Sequence, residues 1–183
     1  MPEEIGGIPL HPLIVHAVVV LIPLVSVGAA IIAFVPRWRV RYGVPLVILA
    51  AGAAGASVLA KESGEQLAET VRETDTLERH MDLGDTFFLF AGALLLALTA
   101  LVAAQWWTDR NAGQSAAADT SQTSGRRLLL TLLAVGTVLT AGLATFQVVL
   151  VGDSGAKAVW ASSSGAPSSD LGAALSGNPE PGI

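Results

Sequence analysis

Residues 8–36 read IPLHPLIVHAVVVLIPLVSVGAAIIAFVP, and the reading of this stretch decides the fold. From Leu13 to Val35 it carries no Asp, Glu, Lys or Arg. At 1.5 Å per residue it is long enough to cross a hydrocarbon core of about 30 Å as a helix. Pro12 suits a first helical turn, where its missing N–H would be unpaired in any case. Pro23 falls mid-helix and should bend it, and the pair Pro36, Arg37 stops it. Two imidazoles, His11 and His16, stand at the start of this apolar run. An ionisable side chain at a membrane span is costly, so it is read as functional and its partner is sought elsewhere in the chain.

The rest of the sequence agrees with a membrane setting. Hydrophobic residues make up 52% of the 183 positions and charged residues 14%, against roughly a quarter charged in ordinary soluble domains. The chain has no cysteine, which excludes disulfides, thiolate iron–sulfur ligation and cysteine catalysis. Its start, MPEEIGG, is acidic where a secretory leader would be basic, so the first apolar segment is expected to be a retained helix.

Three further spans follow. Residues 43–60, GVPLVILAAGAAGASVLA, place Gly52, Ala56 and Ala60 at four-residue spacing, which suits close helix packing. A third span covers 83–107, its apolar part running from Thr86 to two interfacial tryptophans, Trp106 and Trp107. The fourth, 128–151, is rich in Gly, Ala and Thr, with Gly136 on a packing face and Gln147 as its single amide. The expected fold is therefore an all-α bundle of four transmembrane helices over residues 1–160, with a partly helical outer loop. A flexible linker is expected over about 109–125 and a disordered tail over 161–183. The sequence shows no internal repeat beyond its paired hairpins.

Arg37, Arg39 and Arg41 lie between the first two spans, and Arg110, Arg126 and Arg127 between the last two. Basic short loops face the cytoplasm, so both termini and the interval Lys61–Asp85 are expected outside. Orientation accounts for these arginines, and no nucleic-acid partner is expected. Within the outer interval, Leu67 and Val71 could face inward on an interfacial helix, and Asp75 with Glu78 resembles a capping box that would start the third helix early. Leu77, His80, Gly84, Phe87 and Ala91 then form one stripe.

Under this topology all three histidines converge on the outer side, near Asp82, Asp85, Gln147, Asp153 and Ser154. His16 and His80 are the candidate ligand pair, with the other polar groups and His11 in support. Two imidazoles from different helices could hold haem b axially, with Gly84 leaving room for a porphyrin edge. A metal ion is the weaker variant, because no tight ligand spacing supports it. Asp85 could orient an imidazole by accepting its second N–H. The alternative is that the histidines brace the helix ends or respond to protons. No P-loop, H-E-x-x-H or G-x-S-x-G motif is present, and no charge lies mid-span. The reading adopted is an accessory or structural membrane component without catalytic activity of its own, in the lipid bilayer alone, as a homo-oligomer or within a redox complex. Haem-linked electron transfer and a metal-binding or pH-responsive transport accessory are the alternatives.

IPLHPLIVHAVVV at the start, SGE at 63–65, ERHMDLGD at 78–85 and QVVLVGDSGAKAVW at 147–160 resemble a family of predicted bacterial four-helix inner-membrane proteins of unknown function. The resemblance runs from about Gly7 to Trp160. It implies that His11, His16, His80 and the turn Gly152, Asp153, Ser154, Gly155 are family features, and relatives attached to Rieske iron–sulfur domains imply redox company. The GDSG turn lacks the strand–turn–helix setting of a catalytic serine.

Overall fold

In the computed structural model, residues 4–5, 8–68, 75–112 and 120–164 are described. A minimal antiparallel ladder of β1 (Glu4–Ile5) and β2 (Ile8–Pro9), pairing Glu4 with Pro9 and Ile5 with Ile8, precedes four helices. These are α1 (Leu10–Phe34), α2 (Pro36–Ala68), α3 (Asp75–Ala112) and α4 (Thr120–Ser164). All four are long and apolar enough to cross a membrane. The chain is thus an all-α, multi-pass membrane protein with its helices in the lipid bilayer.

The helices form a ring in chain order. α1 packs on α2 and α4, α3 packs on the same two, and α1 and α3 stand diagonally. The core follows a regular alternation of three and four residues. Val18, Ile22, Val25, Ala29 and Ile32 are buried on α1, and Phe87, Ala91, Leu94, Leu98 and Leu101 on α3. Ala50, Ala53 and Ser57 answer them on α2, with Thr137, Ala141, Ala144 and Val148 on α4. This spacing is the one found at the seams of coiled coils and most four-helix bundles. Ser26 Oγ donates to the Ala141 carbonyl (3.2 Å) and Thr137 Oγ1 to the Ala97 carbonyl (3.3 Å), adding polar ties between helices. The opposite faces expose Ile48, Leu96, Leu132, Leu139 and Phe146, each at least 60% accessible. Large apolar side chains in that number belong against acyl chains.

α1 and α2 are separated by Val35 alone, and the arginine-rich stretch expected as a loop forms the first turns of α2. Pro36 suits that start, and its absent N–H is what breaks the helix. Pro23 and Pro45 lie inside α1 and α2. α3 begins at Asp75, with Asp75 and Glu78 in its first turn, and α2 continues past the expected 60 to Ala68. Val71, residues 113–119 of the expected linker and 165–183 of the expected tail lie outside the described residues.

The small residues expected at helix contacts divide into two groups. Ala56 and Ala60 pack against the core. A Cβ at Gly52, Gly84 or Gly136 would meet nothing within 4 Å, so these glycines are not close-approach points inside the bundle. The tight positions are Gly28 against Leu46, Gly43 against Val102, Gly64 against His11 and Gly155 against His80.

Candidate functional site at the histidine end

The antiparallel ring brings the start of α1, the end of α2, the start of α3 and the end of α4 to one end of the bundle. His11 continues the α1 seam backwards from Val18, seven residues earlier, and His80 stands seven before Phe87 on α3. Both imidazoles therefore turn inward and are half-buried.

His11 Nδ1 lies 3.0 Å from the Ala60 carbonyl and 3.1 Å from Ser63 Oγ, on α2. A carbonyl only accepts, so Nδ1 carries the proton. His80 Nδ1 lies 3.0 Å from Ser154 Oγ on α4, while that hydroxyl donates to the Val151 carbonyl at 2.8 Å. With its hydrogen so placed, Ser154 accepts from His80, and Nδ1 is again the protonated nitrogen. In both neutral rings Nε2 then keeps its lone pair. Neither Nε2 has a hydrogen bond among the described residues, and neither is sealed from the surface.

Each imidazole also rests on the glycine that follows its serine. A Cβ on Gly64 would lie 2.9 Å from His11 Cε1, and one on Gly155 would lie 3.0 Å from His80 Cε1. The two hairpins thus repeat one device: a histidine near the start of the first helix seated on a Ser-Gly pair near the end of the second. His11 and His80 are close enough for their charges to interact. At the opposite end the hairpins repeat a second device. Arg39 of α2 donates to carbonyls of Ile32 and Ala33 on α1, and Arg126 of α4 donates to the Thr108 carbonyl on α3.

The remaining candidates are distributed as follows. His16 is exposed, and its Nδ1 bonds the Pro12 carbonyl of its own helix at 2.7 Å, so it faces away from His80. The ligand pair expected as His16 and His80 is not brought together; His11 takes the place of His16. Asp85 accepts from Lys61 Nζ at 2.8 Å and Lys61 also pairs with Glu65 at 3.1 Å, which ties α2 to α3; Asp85 bonds no imidazole among the described residues. Asp153 pairs with Lys157 along α4, and Asp82 is exposed. Gln147 is buried below Ser154 without bonding either ring. Among the described residues no three His, Asp or Glu side chains converge as a metal-ligand group.

Sequence reasoning missed the Ser63–Gly64 seat and the Arg39 clamp. A partial signal for the first was available: SG stands at 63–64 and again at 154–155, although the pair also occurs at 124–125, 164–165 and 176–177.

The fold and this end define a four-helix integral membrane protein with two inward imidazoles where its helices terminate. The chain belongs to the family described as predicted membrane protein, DUF2231, whose model matches residues 7–166. No curated protein and no solved structure matches it.

Proposed function

We propose that the chain is an accessory inner-membrane component whose chemistry is proton exchange at the His11–His80 pair on the extracytoplasmic side. One observation carries the reading: two half-buried imidazoles at one end of the bundle each bond the neighbouring helix through Nδ1–H and leave Nε2 without a hydrogen bond among the described residues. Protonation at Nε2 keeps both Nδ1–H bonds but puts two cations at the same half-buried end of the bundle, so this end loosens as pH falls. The charges around this end are Lys61, Glu62 and Glu65 on α2, Asp75, Glu78, Arg79, Asp82 and Asp85 on α3, and Asp153 and Lys157 on α4; Glu65, Asp85 and Asp153 are paired with lysine. The folded state resists the second proton and the unfolded chain does not, so stability is lost towards acid. Thermal unfolding of detergent-purified protein at pH 7.5 and 5.5 tests this. A drop of several degrees in the wild type, flattened in His80→Ala, is expected; a flat wild-type profile contradicts the reading.

A second reading rests on the same open nitrogens. Imidazoles on diagonal helices, each with Nδ1–H held by an oxygen and Nε2 without a hydrogen bond among the described residues, are a donor set that would suit haem b, with His11 and His80 as the residues that would hold it. Protein made with ample haem would then show a Soret band that His11→Ala and His80→Ala abolish and His16→Ala leaves in place. Colourless protein after haem supplementation rules it out. The open faces at Gly52 and Gly136 support contact with a second copy or another membrane subunit.

A further inference from the structure

At the arginine end, a groove with a volume of about 590 Å³ opens on the outer surface between α1 and α4. Its apolar wall is formed by residues such as Ala33 on α1 and Ala134 and Val138 on α4, and its polar lining is Arg39, Gln105, Arg127 and Thr131. Two of those groups are cations and none is an anion. Arg39 is 4% exposed and uses three donors on Ile32, Ala33 and Gln105, which leaves two of a guanidinium's five N–H groups among the described residues. Arg127 is exposed, and its side chain makes no hydrogen bond or ion pair among the described residues. Asp109 lies beyond the groove, accepting from Gln105 Nε2 at 2.9 Å.

We propose that this groove binds one anionic phospholipid, with its phosphate between Arg39 and Arg127 and an acyl chain along α4. The location fits lipid rather than a soluble anion. From Arg127 to Leu139 the lining runs along α4 for about 18 Å at 1.5 Å per residue, a length that an acyl chain contacts and a free phosphate does not. Phe34, Val135 and Leu139 at its rim are all exposed on the bilayer-facing surface, so the groove is entered sideways from the membrane. Trp38, Trp106 and Trp107 stand exposed at the same end, with the Arg110 guanidinium 4.9 Å from the Trp106 ring, and they mark the headgroup level. Basic pockets between transmembrane helices are known seats for anionic headgroups. The binding is independent of the histidine end.

Native mass spectrometry of the full chain, released from detergent containing equal phosphatidylglycerol and phosphatidylcholine of the same acyl composition, tests the proposal. One phosphatidylglycerol should be retained preferentially. Arg127→Gln, an exposed side chain whose loss leaves the fold intact, should reduce that retention about fivefold, the worth of one arginine near an anionic headgroup. Ala134→Phe, which fills the acyl path, should remove it, and where that variant yields too little folded protein Val138→Phe supplies the same block. Equal retention of the two lipids, retention unaffected by Arg127→Gln, or full displacement by millimolar glycerol phosphate overturns the proposal. So does a second copy of the chain found in place of lipid, since the groove would then be a subunit contact.

Discussion

Arg39 shows how a single residue repairs a local fault. In a continuous helix the N–H groups of residues 36 and 37 would bond the carbonyls of Ile32 and Ala33, but Pro36 has no N–H and the chain turns there. Arg39 Nε donates to Ile32 at 3.0 Å and Nη2 to Ala33 at 2.7 Å, so the fork of one guanidinium replaces two backbone donors. Arg39→Ala should therefore destabilise the protein by about 2 kcal/mol or more, since two buried acceptors lose their partners. Arg39→Lys should recover only part of this, because an ammonium has no planar fork; thermal unfolding in detergent separates the three. The histidine seats make a second residue-scale prediction. Gly64→Ala and Gly155→Ala place a methyl within about 3 Å of an imidazole carbon, so each should displace its ring and shift the ¹⁵N resonances of that histidine alone. Unchanged spectra would mean the rings do not rest where described. The sequence placed His80 on the packed stripe, and the structure half-buries it beside buried Phe87 and Ala91. It favoured His16 over His11 because His11 adjoins Pro12 and looked like a boundary residue, whereas the seam counts back from Val18 to His11.

Among the elements, the four spans were legible from apolar length alone, but their inward faces were not. A soluble amphipathic helix marks its core side by contrast with polar residues. Here the lipid side of α1 carries Val20, Leu24, Val27 and Ile31 while the core side carries Ile22, Val25, Ala29 and Ile32, so the two faces are chemically alike. The small-residue spacing in α2 consequently pointed to Gly52, which lies on the open side, when the close approach is at Gly43. A Cβ at Gly43 would come within 2.9 Å of Val102 Cγ2, and a β-branched side chain has little rotamer freedom with which to give way. Gly43→Leu should thus lower the yield of folded monomer several-fold, while Gly52→Leu should leave it near wild type when measured by size-exclusion chromatography. Equal losses would place a contact on the Gly52 face as well. The turn between α1 and α2 was expected as a loop because Pro36 and three arginines separate the two apolar runs, and Arg39 is instead buried by the clamp it forms.

For the whole molecule, the ring of antiparallel helices puts Arg37, Arg39, Arg41, Arg110, Arg126 and Arg127 at one end and the histidines at the other, and the positive-inside rule predicts that the histidine end faces outward. A reporter fused after Trp107 should then be active in a cytoplasmic assay, and one fused after Trp160 in an extracytoplasmic assay; the reverse pattern would invert the molecule and move the imidazole pair to the cytoplasm. The repeated arginine device of the two hairpins was hidden in sequence because the hairpins differ in length and share few residues, whereas the histidine device left the SG pairs as a trace. The central claim is that His11 and His80, not His16, form one coupled pair at the end of the bundle. Its most direct test is a pH titration of the ¹⁵N-labelled imidazoles in detergent micelles, on the wild type and on His80→Ala and His16→Ala. The account predicts that His11 and His80 carry their neutral proton on Nδ1, that removing His80 lets His11 take up its second proton at a higher pH, and that removing His16 leaves both unchanged. A His11 titration indifferent to His80 and moved by His16 would contradict it.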